Sequence, residues 1–251
     1  MPSWNLSFIL TVLLGAFSAL YFYPSAKMSS ESPMTDPYAA LQRTVDTHLL
    51  GLEAHDLYKL AYKTILPHLD KPPLDDLDNF LGYCRAWASS IVGHHDSEEE
   101  ALFPFLSTKL DIASEVAQHV VVAEGLTGII AYIDASAADH SAFDAAKLKD
   151  MMVALSGPLF EHLDEEVEDL APDKMKVFTP EELTQAGKDL MVWIRAHSDK
   201  YITLPFMRCH TPPELKESWP PFPWIVKRFV VPWLLAPTHA GYWKYAPYPV
   251  A

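Results

Sequence analysis

Cysteine is almost absent from this chain. Cys84 and Cys209 are the only two among 251 residues. No CxxC pair exists, which excludes a zinc ribbon and a dithiol redox site. Two cysteines cannot define a disulfide scaffold, though a single Cys84–Cys209 bridge stays open. Basic residues are scarce too. Nineteen Lys and Arg stand against 33 Asp and Glu, a formal charge of −14. A nucleic-acid backbone repels such a surface, so nucleic acid is not an expected partner. The nine glycines form no phosphate-cradling loop of the P-loop or dinucleotide type. HExxH and GxSxG are missing, as is the Glu-x-x-His motif of ferritin-type bundles. The only Asn-x-Ser/Thr sequon is at Asn5. No strand-like alternation appears anywhere.

Apolar sequence is plentiful. The 49% hydrophobic content supports one well-packed domain with attachments. Trp4 to Tyr23 is nearly unbroken apolar sequence, and about 20 such residues can cross a bilayer as a helix. Tyr21 and Tyr23 suit the interface. No Lys or Arg precedes Lys27, so the basic start of a signal peptide is missing. Residues 1–24 are expected to be a single-pass membrane anchor, with membrane contact through residues 4–23. The endoplasmic reticulum, cytosolic face, is the favoured setting. The alternative is secretion after cleavage near Ala16-Phe17-Ser18. Residues 25–36 read as a Ser/Pro linker.

Residues 37–172 carry four long helical patterns. The first runs from about Pro37 to Leu66 and stops at Pro67. The second runs from about Leu74 to Leu110, with Pro104 disturbing its last turns. The third covers about Ile112 to Ile133. The fourth covers about Ala142 to Leu170, with a kink expected at Gly157-Pro158. Short loops between long helices imply an all-α, up-down antiparallel four-helix bundle. Residues 173–251 form an extension. It holds a helical pattern at about Pro180 to Tyr201, then a Pro/Trp-rich stretch with Trp219, Trp224, Trp233 and Trp243. The stretch is expected to pack over the bundle.

Each bundle helix carries a histidine that can point inward. His48 and His55 are two turns apart on the first. The second has His94/Glu98 and His95/Glu99, each pair four apart and so on one helical face. The pairs differ in phase by about 100°, so one pair, not both, is expected to face the bundle axis. The third has His119 in an apolar run. The fourth has His162 and Glu166. His119 and His162 lie at similar distances from the loop that joins their helices, hence at one level of the bundle. Glu98 and His119 match likewise. Imidazole beside carboxylate, without thiolate, is a transition-metal donor set suited to iron. His140, His197 and His210 read as surface or satisfied core residues.

These segments resemble the hemerythrin-like, or HHE cation-binding, family of fungal type. The resemblance rests on Ala54-His55, Gly93-His94-His95 to Glu98-Glu99 then Leu102-Phe103-Pro104, Gln118-His119 with Gly125-Leu126, and His162-Leu163-Asp164-Glu165-Glu166-Val167. It covers about residues 38 to 170, and its HHxxEExxxFP run is fairly specific. It implies a bundle holding two non-haem, oxygen-bridged iron ions. Carried over, His55, His94, Glu98, His119, His162 and Glu166 are the implied ligands, with Glu98 and Glu166 bridging. The Phe103-Pro104 spacing, set beside the family, favours His94/Glu98 over His95/Glu99. One departure stands out. The family often has HxxxH on the third helix, and Ala123 fills the second position here. Glu115, one turn before His119, is the candidate substitute, and Glu124 is a poorer one. Otherwise one iron has an open position. The implied function is O2-dependent oxidation of a small organic substrate, in tailoring a natural product. The alternative is O2 or iron binding, or sensing, without turnover.

Overall fold

The computed structural model describes residues 52–220 and 222–251. The expected anchor, the linker, His48 and the start of the first helix lie outside the described residues. Among those described, helices are the only regular elements.

Four long helices form the bundle: α1 (Leu52–Asp70), α2 (Leu77–Ser97), α4 (Ala113–Ala138) and α5 (Ala145–Asp169). Each packs beside its neighbour in sequence, and α1 closes the ring against α5. Short connections make those neighbours antiparallel. Asp144 caps α5 by accepting from the N–H groups of Ala146 and Lys147. Its helix runs unbroken through Pro158. α1 likewise continues three residues beyond Pro67. The third bundle helix is longer than its sequence pattern suggested and reaches Ala138. With a mean hydropathy of 1.5, α4 is apolar and long enough to cross a membrane, yet it is a bundle helix carrying buried His119 and Glu115.

The second helix departs most from expectation. After Ser97 it passes into a π-helical turn, Glu98–Leu102, and then into the short α3 (Phe103–Leu106). The Phe103 N–H donates to the Glu98 carbonyl, five residues back. Pro104 has no N–H to give the Glu100 carbonyl, so the ordinary ladder is already broken here. Leu102, Phe103 and Leu106 then join a separate apolar cluster with Leu170, Phe178 and Leu190. That cluster closes one end of the bundle.

The extension begins with α6 (Pro172–Met175) and α7 (Pro180–His197). Thr179 and Glu182 build a reciprocal capping box at the start of α7. One expected helix over 180–201 is two, because the Asp199 side chain accepts from the Tyr201 N–H and starts α8 (Lys200–His210). A π-helical stretch, Val226–Leu235, and α9 (Ala240–Trp243) follow. Trp219, Ala236 and Trp243 enter the main core together with Phe80, Trp87 and Leu126. Trp224 and Trp233 stay exposed.

The docking of α9 depends on a glycine. A Cβ placed on Gly82 would lie 2.2 Å from the Tyr242 ring. Gly82→Ala is therefore expected to lower stability by about 1–3 kcal/mol, the usual cost of overpacking. Thermal unfolding should register this as a Tm several degrees below that of the unaltered chain. An unchanged Tm would show that α9 does not need this close approach.

Candidate metal centre

Inward faces of α1, α2, α4 and α5 converge on two neighbouring donor groups. One comprises His55, His94, Glu98 and Glu166; the other comprises His95, His119 and His162. Within each group the donor atoms lie within 4.8 Å of one another. All seven side chains are buried except His94, which retains slight exposure.

Outer partners decide which imidazole nitrogen is bare. His55 Nδ1 lies 2.9 Å from the Leu163 carbonyl oxygen. His119 Nδ1 lies 3.0 Å from Glu99 Oε1. His162 Nδ1 lies 3.1 Å from Gln118 Oε1, and the Gln118 amide nitrogen is committed to Glu165. Each partner oxygen only accepts, so each Nδ1 donates and each Nε2 keeps a free lone pair. His55 Nε2 lies 2.9 Å from His94 Nε2, and the His119 and His162 Nε2 lone pairs face each other at 3.1 Å. Two such lone pairs so close repel unless a cation lies between them. Metal–nitrogen bonds of about 2.1 Å meeting at a right angle would put two donors about 3.0 Å apart.

The carboxylates extend the same pattern. Glu98 Oε1 is 3.3 Å from His94 Nε2, and its Oε2 is 3.7 Å from His119 Nε2. Glu98 thus turns one oxygen to each group. Glu166 Oε2 is 3.3 Å from His55 Nε2. Both oxygens of Glu98 and of Glu166, and both nitrogens of His95, are buried without a hydrogen-bond partner. Burying a carboxylate unpaired costs several kcal/mol, so this donor set fits a bound cation.

Burial pushes the Glu98 carboxyl well above its ordinary range, and the Glu166 charge adds to the shift. Burial would also raise Glu166, but His55, 3.3 Å away, then His94 and His162, override it and hold the carboxyl at about 2. Desolvation lowers His94 to about 3, helped by His55, and also lowers His95 well below its ordinary value. His94 and His95 are therefore neutral at physiological pH, the form that binds metal.

Of the two HxxxE pairs only His94/Glu98 turns inward as a pair, and His95 faces in without its Glu99. His94 meets His55 on the α1 side, at a ring separation of 5.0 Å. His95 stacks on His119 at 4.2 Å and meets His162 at 5.0 Å. Glu99 does not accompany it; this carboxylate is about half exposed (47%) and holds His119 from outside. Ala123 is exposed, and His95 supplies the third imidazole beside His119 and His162. Glu115 is buried but joins neither group. Its Oε2 lies 3.3 Å from His162 Nδ1, on the outer side of that ring. Phe103, placed by the π turn, stacks on the other face of His119 at 5.0 Å. His119 is thus clamped between two rings. The period of a single helix gives no cue to Gln118 as a partner, because it bonds across to α5.

The hemerythrin HHE cation binding domain model matches residues 41–173, just over half of the chain. The chain belongs to this family. A curated relative by sequence is the "Dimeric xanthone biosynthesis cluster protein R11" of Cryptosporiopsis sp. (strain 8999), 26% identical over 186 residues. The match takes in 68% of this chain and 66% of that protein. No solved structure matches. For this HHE domain, Glu99 offers a direct check on the outer contacts. Glu99→Ala is expected to weaken metal binding about 10- to 100-fold, the usual loss when a ligand's outer partner is removed. Competition against a chelator measures it, and unchanged affinity would show that Glu99 does not orient His119.

Proposed function

We propose that the bundle holds two non-haem iron ions and uses them with O2 to oxidise a small organic molecule. The observation that carries this reading is Glu98, whose two oxygens are directed one to each donor group. His55, His94 and Glu166 would hold one ion, and His95, His119 and His162 the other, with Glu98 between them. Iron held by these residues would supply O2 activation. The chain's own part is to keep His94 and His95 neutral, aim the Nε2 atoms of His55, His119 and His162 inward, and exclude bulk water. Mixed imidazole and carboxylate without thiolate favours iron over a structural zinc site.

A cleft of about 540 Å³ is lined by residues including Leu110, Ile112 and Val116, and by Glu99 and Phe103, which both touch His119. Its apolar walls with acidic Glu99 and Asp111 suit a neutral organic molecule better than an anion. The relative's place in a biosynthesis cluster supports a natural-product setting. Residues 4–23 are proposed to anchor the domain to the endoplasmic reticulum membrane.

A second reading, reversible O2 or iron binding without turnover, is favoured by the three imidazoles gathered around one site. Iron per chain is measured first, and the reduced protein is then exposed to O2. Irreversible oxidation, accelerated by a metabolite extract and yielding an oxygenated product, supports the enzyme. A spectrum that reverses on removing O2 supports the carrier. A chain that takes up no iron under anaerobic reconstitution rules out both.

A further inference from the structure

A second cluster of ionisable side chains lies in the core, outside the donor groups: Tyr83, Cys84, Cys209 and His210. All four are fully buried. The Tyr83 hydroxyl lies 2.7 Å from His210 Nε2. The far side of the imidazole sets the direction of that bond. His210 Nδ1 is 2.8 Å from the Phe206 carbonyl oxygen, which only accepts, so Nδ1 carries the proton. Nε2 is then a lone pair, and the phenol donates to it. The two rings lie 5.7 Å apart and nearly parallel, at 9°.

This pair is in ring contact with the metal centre. His94 meets Tyr58 at 5.5 Å, Tyr58 stacks on Phe206 at 6.2 Å, and Phe206 meets His210 at 4.1 Å. On the other side Tyr83 lies 6.2 Å from Tyr245, which is partly exposed and donates to the Asp76 carboxylate. A continuous file of rings thus joins a metal-facing histidine to the surface. Within it, Tyr58 donates to the Ser90 carbonyl, a group that cannot take a proton at physiological pH. Tyr83 alone among the file's buried tyrosines donates to an imidazole.

We propose that Tyr83 and His210 form a redox-active pair that passes single electrons to the metal centre. The inference rests on the iron reading for its oxidant, which is the metal centre after oxidation by O2. In the step, Tyr83 loses one electron, which travels by way of Phe206 and Tyr58. Its hydroxyl proton crosses to His210 Nε2. The products are a neutral tyrosyl radical, an imidazolium and a metal centre reduced by one electron. Burial keeps both groups neutral at rest, raising the Tyr83 hydroxyl and lowering His210 to about 4. A phenol that has lost an electron is a far stronger acid than the phenol itself, so even this weakened base takes the proton. A one-electron donor such as ascorbate or a thiol restores Tyr83 through Tyr245, and the imidazolium returns the proton.

The test uses the full chain loaded with zinc, which has no redox chemistry. A photogenerated ruthenium oxidant removes one electron, and the frozen sample is read by electron paramagnetic resonance. A tyrosyl signal is expected, and Tyr83→Phe should remove it. His210→Gln keeps an acceptor but cannot take a proton. It should shorten the radical's lifetime roughly tenfold or more, the rate change expected when a bond to a charged group is lost. Circular dichroism and zinc content check that both variants fold. An undiminished signal in Tyr83→Phe, or an unchanged lifetime in His210→Gln, overturns the pair. The iron-loaded, reduced chain mixed with O2 should give the same signal, and a signal under photo-oxidation but none after O2 overturns the link to the metal. Iron content, measured separately, distinguishes failure of the pair from failure of the iron reading.

Discussion

Glu98→Ala is expected to abolish metal binding at both donor groups in a chain that remains folded. Its two oxygens face separate donor groups, at 3.3 Å from His94 and 3.7 Å from His119, so one substitution damages both sites. His95→Ala and His162→Ala should each empty the group they belong to and leave the other largely filled. His197→Ala should change nothing, since His197 is exposed and packs on Trp193. Iron per chain by elemental analysis ranks the variants. Unfolding of the metal-free proteins is the control, because removing an unpaired buried carboxylate should not destabilise the metal-free chain. Wild-type iron in Glu98→Ala would refute a shared carboxylate. Equal iron in His162→Ala and His197→Ala would refute the assignment of His162.

Acid should unfold the metal-free chain well above the pH at which carboxylates titrate. Burial holds His94 at about 3 and His210 at about 4, and pushes His95 well below its ordinary value. In the unfolded chain these imidazoles take up protons as pH falls through about 6.5. The folded chain refuses them, so the unfolded state binds more protons and stability falls with pH. Glu98 acts in the opposite sense, because its raised carboxyl is protonated in the folded state first. Three imidazoles against one carboxyl leave a net loss on the order of 1–3 kcal/mol per pH unit below about 6.5. Denaturant unfolding at a series of pH values measures the slope. Stability that stays flat between neutral pH and the carboxylate range would contradict it. Bound metal should steepen the dependence, since metal and protons compete for the same nitrogens.

Much of this arrangement could be read from residue spacing. Four helices with short loops, and histidines at matching depths, follow from period and length alone. The inward position of His119 was legible because a histidine interrupts an otherwise apolar run. What misled was treating the bundle axis as a line. A helix in a bundle faces two neighbours, and its inward sector is wide enough for side chains about 100° apart. His94 turns toward α1 and His95 toward α4 and α5, and Glu98 falls about 40° past His94 and 60° short of His95. The carboxylate between two divergent imidazoles is therefore the one able to face both groups. The outer contacts of Glu99, Gln118 and Glu115 were not legible, because each depends on a neighbouring helix. The break before α8 was missed because Asp199 looks like any polar residue until its side chain caps the next helix.

The π turn at Glu98–Leu102 has a consequence for insertions and deletions. Removing one residue there would rewind the turn to α-helix and rotate everything beyond it by about 100°. Phe103 would swing off His119, and Leu102 and Leu106 would turn away from the cluster that closes the bundle's end. The two halves of this helix are thus written in different reading frames, one set by the metal-facing residues and one by the end cap. A single odd residue keeps both in register.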